Sequence, residues 1–114
     1  PGMNQIDASA ELIAVTTTVA SAEDARRLAQ AVLEQRLAAC AQVEAVVSHY
    51  RWDGALQEEG EHRLVFKTLP AAVSALLGLL RTLHPYDLPE LVVQPLRATK
   101  EYADWVRQEA VAQA

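Results

Sequence analysis

Three prolines fall within residues 83–95, Leu-His-Pro-Tyr-Asp-Leu-Pro-Glu-Leu-Val-Val-Gln-Pro, and they constrain this chain more than any other stretch. Pro85 turns His84 away from helical dihedrals, so the helical pattern arriving from Val73 must end at about Leu83. Pro89 pushes Leu88 toward an extended conformation, and Leu91, Val92 and Val93 then read as a short buried strand closed off by Pro95. Between helix and strand lies a stiff loop carrying His84, Tyr86, Asp87 and Glu90, the densest group of functional side chains in the sequence. Packing and local backbone hydrogen bonding are the plain alternative role for His84 and Tyr86.

The rest of the chain alternates strand and helix signals. Leu12 to Val15 is a continuous apolar run, extended by three threonines, and predicts a first strand. Ser21 stands three residues before Asp24, an N-cap arrangement, and Ala25, Leu28, Ala29, Val32 and Leu33 recur at helical spacing, predicting a helix over 22–36. From 39 to 52 the period becomes two, but Ala41, Val43 and Ala45 share one face while Val46, Tyr50 and Trp52 share the other. That slip predicts a bulge or bend near 45–47. Asp53-Gly54 supplies turn chemistry, and an extended run over 56–68 returns antiparallel to complete a long hairpin. The outer part of that hairpin, rich in Glu58, Glu59 and Glu61, has too little apolar surface to cover itself.

Pro70 opens a second helix with a stripe of Val73, Leu76, Leu77, Leu80 and Leu83. After the proline loop and the fourth strand, Thr99 caps a third helix that presents Tyr102, Trp105, Val106 and Ala110. Two βαβ halves joined by a hairpin describe an α+β fold: a ferredoxin-like βαββαβ sandwich with an extended hairpin between the second and third strands and an extra C-terminal helix. Residues 1–10 form a loose N-terminal segment in which Pro1-Gly2 reads as an expression remnant, and 11–114 form the single domain.

Composition narrows the function. Fifteen acids against ten bases give a net charge of −5 with no basic run, which argues against sequence-independent nucleic-acid binding. Cys40 is alone, so neither an internal disulfide nor a multi-cysteine zinc site is available. Its alanine neighbours predict a small buried structural thiol. With no apolar run of signal-peptide or membrane length near either end, the expectation is a cytoplasmic protein without membrane attachment. No phosphate loop, Ser-His-Asp order or paired-carboxylate motif is visible, so no enzymatic activity is expected, and the fold needs no cofactor.

Several separated motifs occur together in order: Leu37-Ala38-Ala39-Cys40, Tyr50-Arg51-Trp52-Asp53-Gly54, Lys67-Thr68, His84-Pro85-Tyr86, Pro89-Glu90 and Trp105. Together they resemble the CutA family of divalent-cation tolerance proteins over nearly the whole domain. The resemblance implies a tight homotrimer in which the long hairpins of neighbouring subunits extend one another's sheets. It also implies a homeostatic role with copper and other divalent ions. Where one member of that family has suggested copper ligands, a cysteine at the end of the first strand and two successive histidines before the proline, this chain has Thr17 and the pair Leu83-His84. His84 is therefore the one candidate metal ligand, implying at most a weak copper or zinc site, in which it would recruit Tyr86, Asp87 or Glu90, or Glu59 and Glu61 of a neighbouring hairpin. A second expectation follows from likeness to PII-type signalling trimers. Tyr50, Trp52, Lys67, Tyr86 and Glu90 would line an intersubunit cleft for a small anionic ligand, Lys67 supplying the charge, or would simply cement the trimer through a Lys67–Glu90 pair.

Overall fold

The computed structural model of the chain describes residues 5–111. The Pro1-Gly2 remnant read from the sequence lies outside them. Strand β1 (Ala10–Val19) runs up the middle of a four-stranded antiparallel sheet. Helix α1 (Ala22–Glu34) follows, its start capped by the Ser21 hydroxyl accepting from the Asp24 N–H at 3.0 Å. Strands β2 (Cys40–Trp52) and β3 (Ala55–Thr68) form the long hairpin. A 3-10 turn at Pro70–Ala72 leads into α2 (Val73–Leu83), and β4 (Val92–Ala98) and α3 (Lys100–Glu109) complete the chain. Strand order is β2-β3-β1-β4, the ferredoxin-like arrangement expected from the two βαβ halves.

Alternation along β1 assigns the two faces of the sheet. Val15 and Val19 point to the side covered by α1 and α2, where Leu28, Val32, Leu64, Phe66, Leu76 and Leu80 complete a fully buried core. At roughly 1.5–3 kcal/mol for each large apolar side chain taken out of water, this layer is the main source of stability. Leu12 points the other way and is covered by Ala103 and Val106 of α3 and by Ala110 just after it, which seals one end of the opposite face. Tyr102 and Trp105, expected in the same stripe, lie half exposed with ring centres 5.7 Å apart and planes tilted by 39°, and Ala103 takes a buried position instead.

Three expectations are corrected here. No bulge interrupts the hairpin: every residue of β2 from Cys40, opposite Lys67, to Trp52, opposite Ala55, has one partner. The apparent phase slip arises because β2 carries apolar residues on both faces. Strand β4 does not stop at Pro95 but continues to Ala98, since an edge strand tolerates the missing N–H; being an edge, it also leaves Val92 and Val93 half exposed. Cys40 is half-buried beneath α3, with Sγ 3.4 Å from the Tyr102 hydroxyl, because its place in the alternation turns it away from the main core.

Beyond Val46 and Glu61 the hairpin is two-stranded, because β1 ends its pairing with β3 at Val19 opposite His62. Asp53 and Gly54 turn the chain with φ of 51° and 76°, the left-handed pair that a two-residue hairpin turn requires. The hairpin projects from the body and stretches the molecule to 54 × 33 × 21 Å.

Candidate functional site

The loop 84–91 is stapled to the sheet at two points. Pro85 holds His84 extended at φ −69° and ψ 134°, ending α2 as anticipated, and this turns the imidazole inward against β1. Its Nε2 lies 3.0 Å from the Thr18 carbonyl oxygen and 2.9 Å from the Thr17 hydroxyl oxygen. A carbonyl only accepts, so Nε2 carries the proton. Nδ1 is then free to accept the Tyr86 backbone N–H at 3.1 Å. Burial pushes the His84 pKa below its ordinary value, outweighing the hydrogen bond to Thr18 and the nearby Asp24 carboxylate. The ring is a neutral structural clamp.

The second staple is the Tyr86 hydroxyl, which donates to Glu61 Oε2 at 2.7 Å. Desolvation, then this hydrogen bond, push the phenol well above its ordinary range, so the hydroxyl stays protonated and donating. Tyr50 is likewise raised, by desolvation first and then by the neighbouring Glu59 carboxylate. Of the two same-face carboxylates Glu59 and Glu61 on β3, Glu61 is thus held by a tyrosine hydroxyl.

Between the outer hairpin and the stapled loop lies a cavity of about 730 Å³. Tyr50, Trp52, Glu59 and Glu61 form its hairpin wall, while Tyr86 and Glu90 form its loop wall. Four expected cleft residues, Tyr50, Trp52, Tyr86 and Glu90, therefore meet within one chain. Lys67 does not join them. It borders a second hollow of about 370 Å³ further along the sheet, which Glu90 also lines, and its ammonium donates to Gln42 Oε1 at 2.8 Å rather than pairing with Glu90. His84 does not line the cavity either; it lies behind the wall and packs on Tyr86 with ring centres 5.0 Å apart.

For a metal, the local chemistry is unhelpful at His84. Both ring nitrogens are engaged, Thr17 offers a hydroxyl where a thiolate would be needed, and among the described residues no three His, Cys, Asp or Glu side chains converge as a ligand set. These residues do not fit a tight copper site. The Tyr86–Glu61 pairing is new relative to the sequence reading. The turn at Asp53-Gly54 fixes the register that places Ser48 opposite Glu59 and Tyr50 opposite Gln57, so the shared face of these residues was available from spacing alone.

Fold and site together define a class: a ferredoxin-like subunit whose extended hairpin and proline loop enclose an acidic, aromatic cavity. The chain belongs to the CutA1 divalent ion tolerance protein family, whose model matches residues 13–109. It is 43% identical over 96 residues to the divalent-cation tolerance protein CutA of Thermus thermophilus, covering 82% of this chain and 93% of that one. The human protein CutA is 37% identical over 86 residues, which is 74% of this chain but only 48% of the longer human chain. CutA from Synechococcus elongatus superposes with a TM-score of 0.87 at 38% identity, over 95% of this chain and 97% of that one. A second structure of that cyanobacterial protein, at a TM-score of 0.83 over 92% of this chain and 99% of that one, is a complex with a Bis-Tris molecule. Among the described residues no helix is long and apolar enough to cross a membrane.

Proposed function

We propose that the protein works in divalent-cation tolerance by binding rather than by catalysis, as a cytoplasmic homotrimer that takes up copper or zinc ions weakly. Membership of the CutA1 family carries the reading. The carboxylates of Glu59, Glu61, Asp87 and Glu90 around one cavity support it, since they offer an inorganic cation a negative field without a closed ligand cage. His84 could serve as a ligand only after giving up Thr18 or Tyr86, so its share in metal affinity is small.

Calorimetric titration of copper into the wild-type protein and His84→Ala tests this. The expected loss in the variant is under about tenfold, because a lone imidazole is a minor part of a transition-metal site. A loss of about a hundredfold would mean that other ligands gather around His84 to complete a real site. Absence of copper or zinc binding at any useful concentration would remove the metal reading.

A second reading, a PII-like trimer that senses a small ligand, is favoured by the cavity itself. Its volume of about 730 Å³ sits within the roughly 300–1,000 Å³ usual for small-molecule sites. The Bis-Tris complex of the Synechococcus protein adds support by analogy.

A further inference from the structure

We propose that the hairpin cavity recognises an organic ammonium ion of the alkylamine or polyamine class. The inference rests on the small-ligand reading and assigns the ligand's charge and chemistry, reversing the anionic ligand expected from Lys67.

Three observations converge. First, the cavity wall is acidic: Glu59, Glu61, Asp87 and Glu90 border it, and among its lining residues there is no Lys or Arg. The field is felt by the neighbouring phenols, since the Glu59 and Glu61 charges both act to raise Tyr50 and Tyr86. An anionic ligand would enter against that field. Second, Tyr50, Trp52 and Tyr86 line the same space, and aromatic faces attract cations through their quadrupole. Third, one of these carboxylates is preorganised: Glu61 is about nine-tenths buried and receives the Tyr86 hydroxyl on Oε2, which leaves it acceptor capacity for a further donor.

The same features separate an organic ammonium from an inorganic divalent ion. Calcium takes six to eight oxygen ligands, and magnesium keeps a near-octahedral shell of strongly held water. The carboxylates here are spread over two walls, and among the described residues no three acidic, cysteine or histidine side chains converge. An alkylammonium needs only one or two carboxylate acceptors for its N–H groups, and its methylenes gain from contact with Trp52 and the tyrosines.

The test is calorimetric titration of spermidine into the full chain, with citrate as the anionic comparator and copper measured separately. The expected result is saturable binding of spermidine, weakened about tenfold or more in Glu59→Gln/Glu61→Gln, which removes two charges that face the cation. The Glu61→Gln amide oxygen still accepts from the Tyr86 hydroxyl, so a folding defect is not expected; circular dichroism and sedimentation confirm the variant. Lys67→Ala is expected to bind spermidine unchanged because Lys67 lies outside the cavity. Failure of spermidine to saturate by about 10 mM, or equal affinity in the charge-removed variant, overturns the proposal. Citrate binding more tightly than spermidine also overturns it while leaving the cavity as a ligand site. Binding of neither ligand discards the small-ligand reading as well, and the copper titration reports on the metal reading independently of both.

Discussion

His84 is held in one tautomer by its surroundings: Nε2–H faces a carbonyl oxygen and Nδ1 faces an N–H. Protonating Nδ1 would charge a buried ring, which is why its pKa falls below 6.5 in the folded protein, and it would also set two donors against each other. The unfolded chain therefore binds a proton more readily than the folded one. The stability contributed by the neutral ring is complete above about pH 6.5 and declines as pH falls from there toward the lowered folded value. Urea unfolding between pH 8 and pH 5 checks this. Wild type is expected to lose more stability over that range than His84→Gln, and parallel losses would show that the ring is not the titrating group. The sequence disclosed that a histidine, a phenol and carboxylates would share this loop, because the prolines fix where helix and strand change over. It did not disclose their partners, since Thr17, Thr18 and Glu61 reach the loop only through folding of residues far away in the chain.

Helix α1 stops two residues before the expected end because Arg36 adopts φ 56°. The Leu37 N–H returns to the Val32 carbonyl and the Arg36 N–H to that of Leu33, a Schellman closure that is usually made by glycine. An arginine there is costly in backbone terms, at about 1–2 kcal/mol for a residue with a Cβ in the left-handed region. Its side chain offsets that cost: Nε and Nη2 donate to the carbonyls of Glu109 and Gln108 at 3.0 and 2.8 Å, capping the negative end of α3. Arg36→Ala loses the cap and keeps the strain, whereas Arg36→Gly loses the cap and sheds the strain. The glycine variant is expected to be more stable than the alanine variant by about 1 kcal/mol, measured by denaturant unfolding at one protein concentration. Equal stabilities would mean that the left-handed geometry is not strained. Periodicity located all three helices and the hairpin turn, yet it missed this helix end because no glycine marks it. The continuation of β4 through Pro95 was hidden for a related reason: a proline reads as a stop unless the strand is known to be an edge, and edge status is a property of the assembled sheet.

At the scale of the molecule, the single subunit leaves its most apolar hairpin surface uncovered. Val47 is 63% exposed, Trp52 55% and Leu56 77%, on a stretch whose backbone pairs only within the hairpin. Strands β2 and β4 are both free edges, the arrangement that soluble proteins cover or blunt. The apolar residues fall on both faces of β2, which a single packed sheet does not need but a strand inserted between neighbours does. A cyclic arrangement in which each hairpin extends the next subunit's sheet satisfies both edges and both faces at once, and it closes without leaving an open end. On this ground the protein is expected to be an obligate trimer, with dissociation and unfolding as one concentration-dependent transition. Sedimentation equilibrium is expected to return three times the 12.5 kDa chain mass down to low micromolar concentration. Leu56→Glu, which puts a charge where an apolar contact is required and lies outside the cavity lining, is expected to shift the protein toward unfolded monomer. A folded monomer of the wild type with native circular dichroism would show instead that the exposed hairpin stands alone in water.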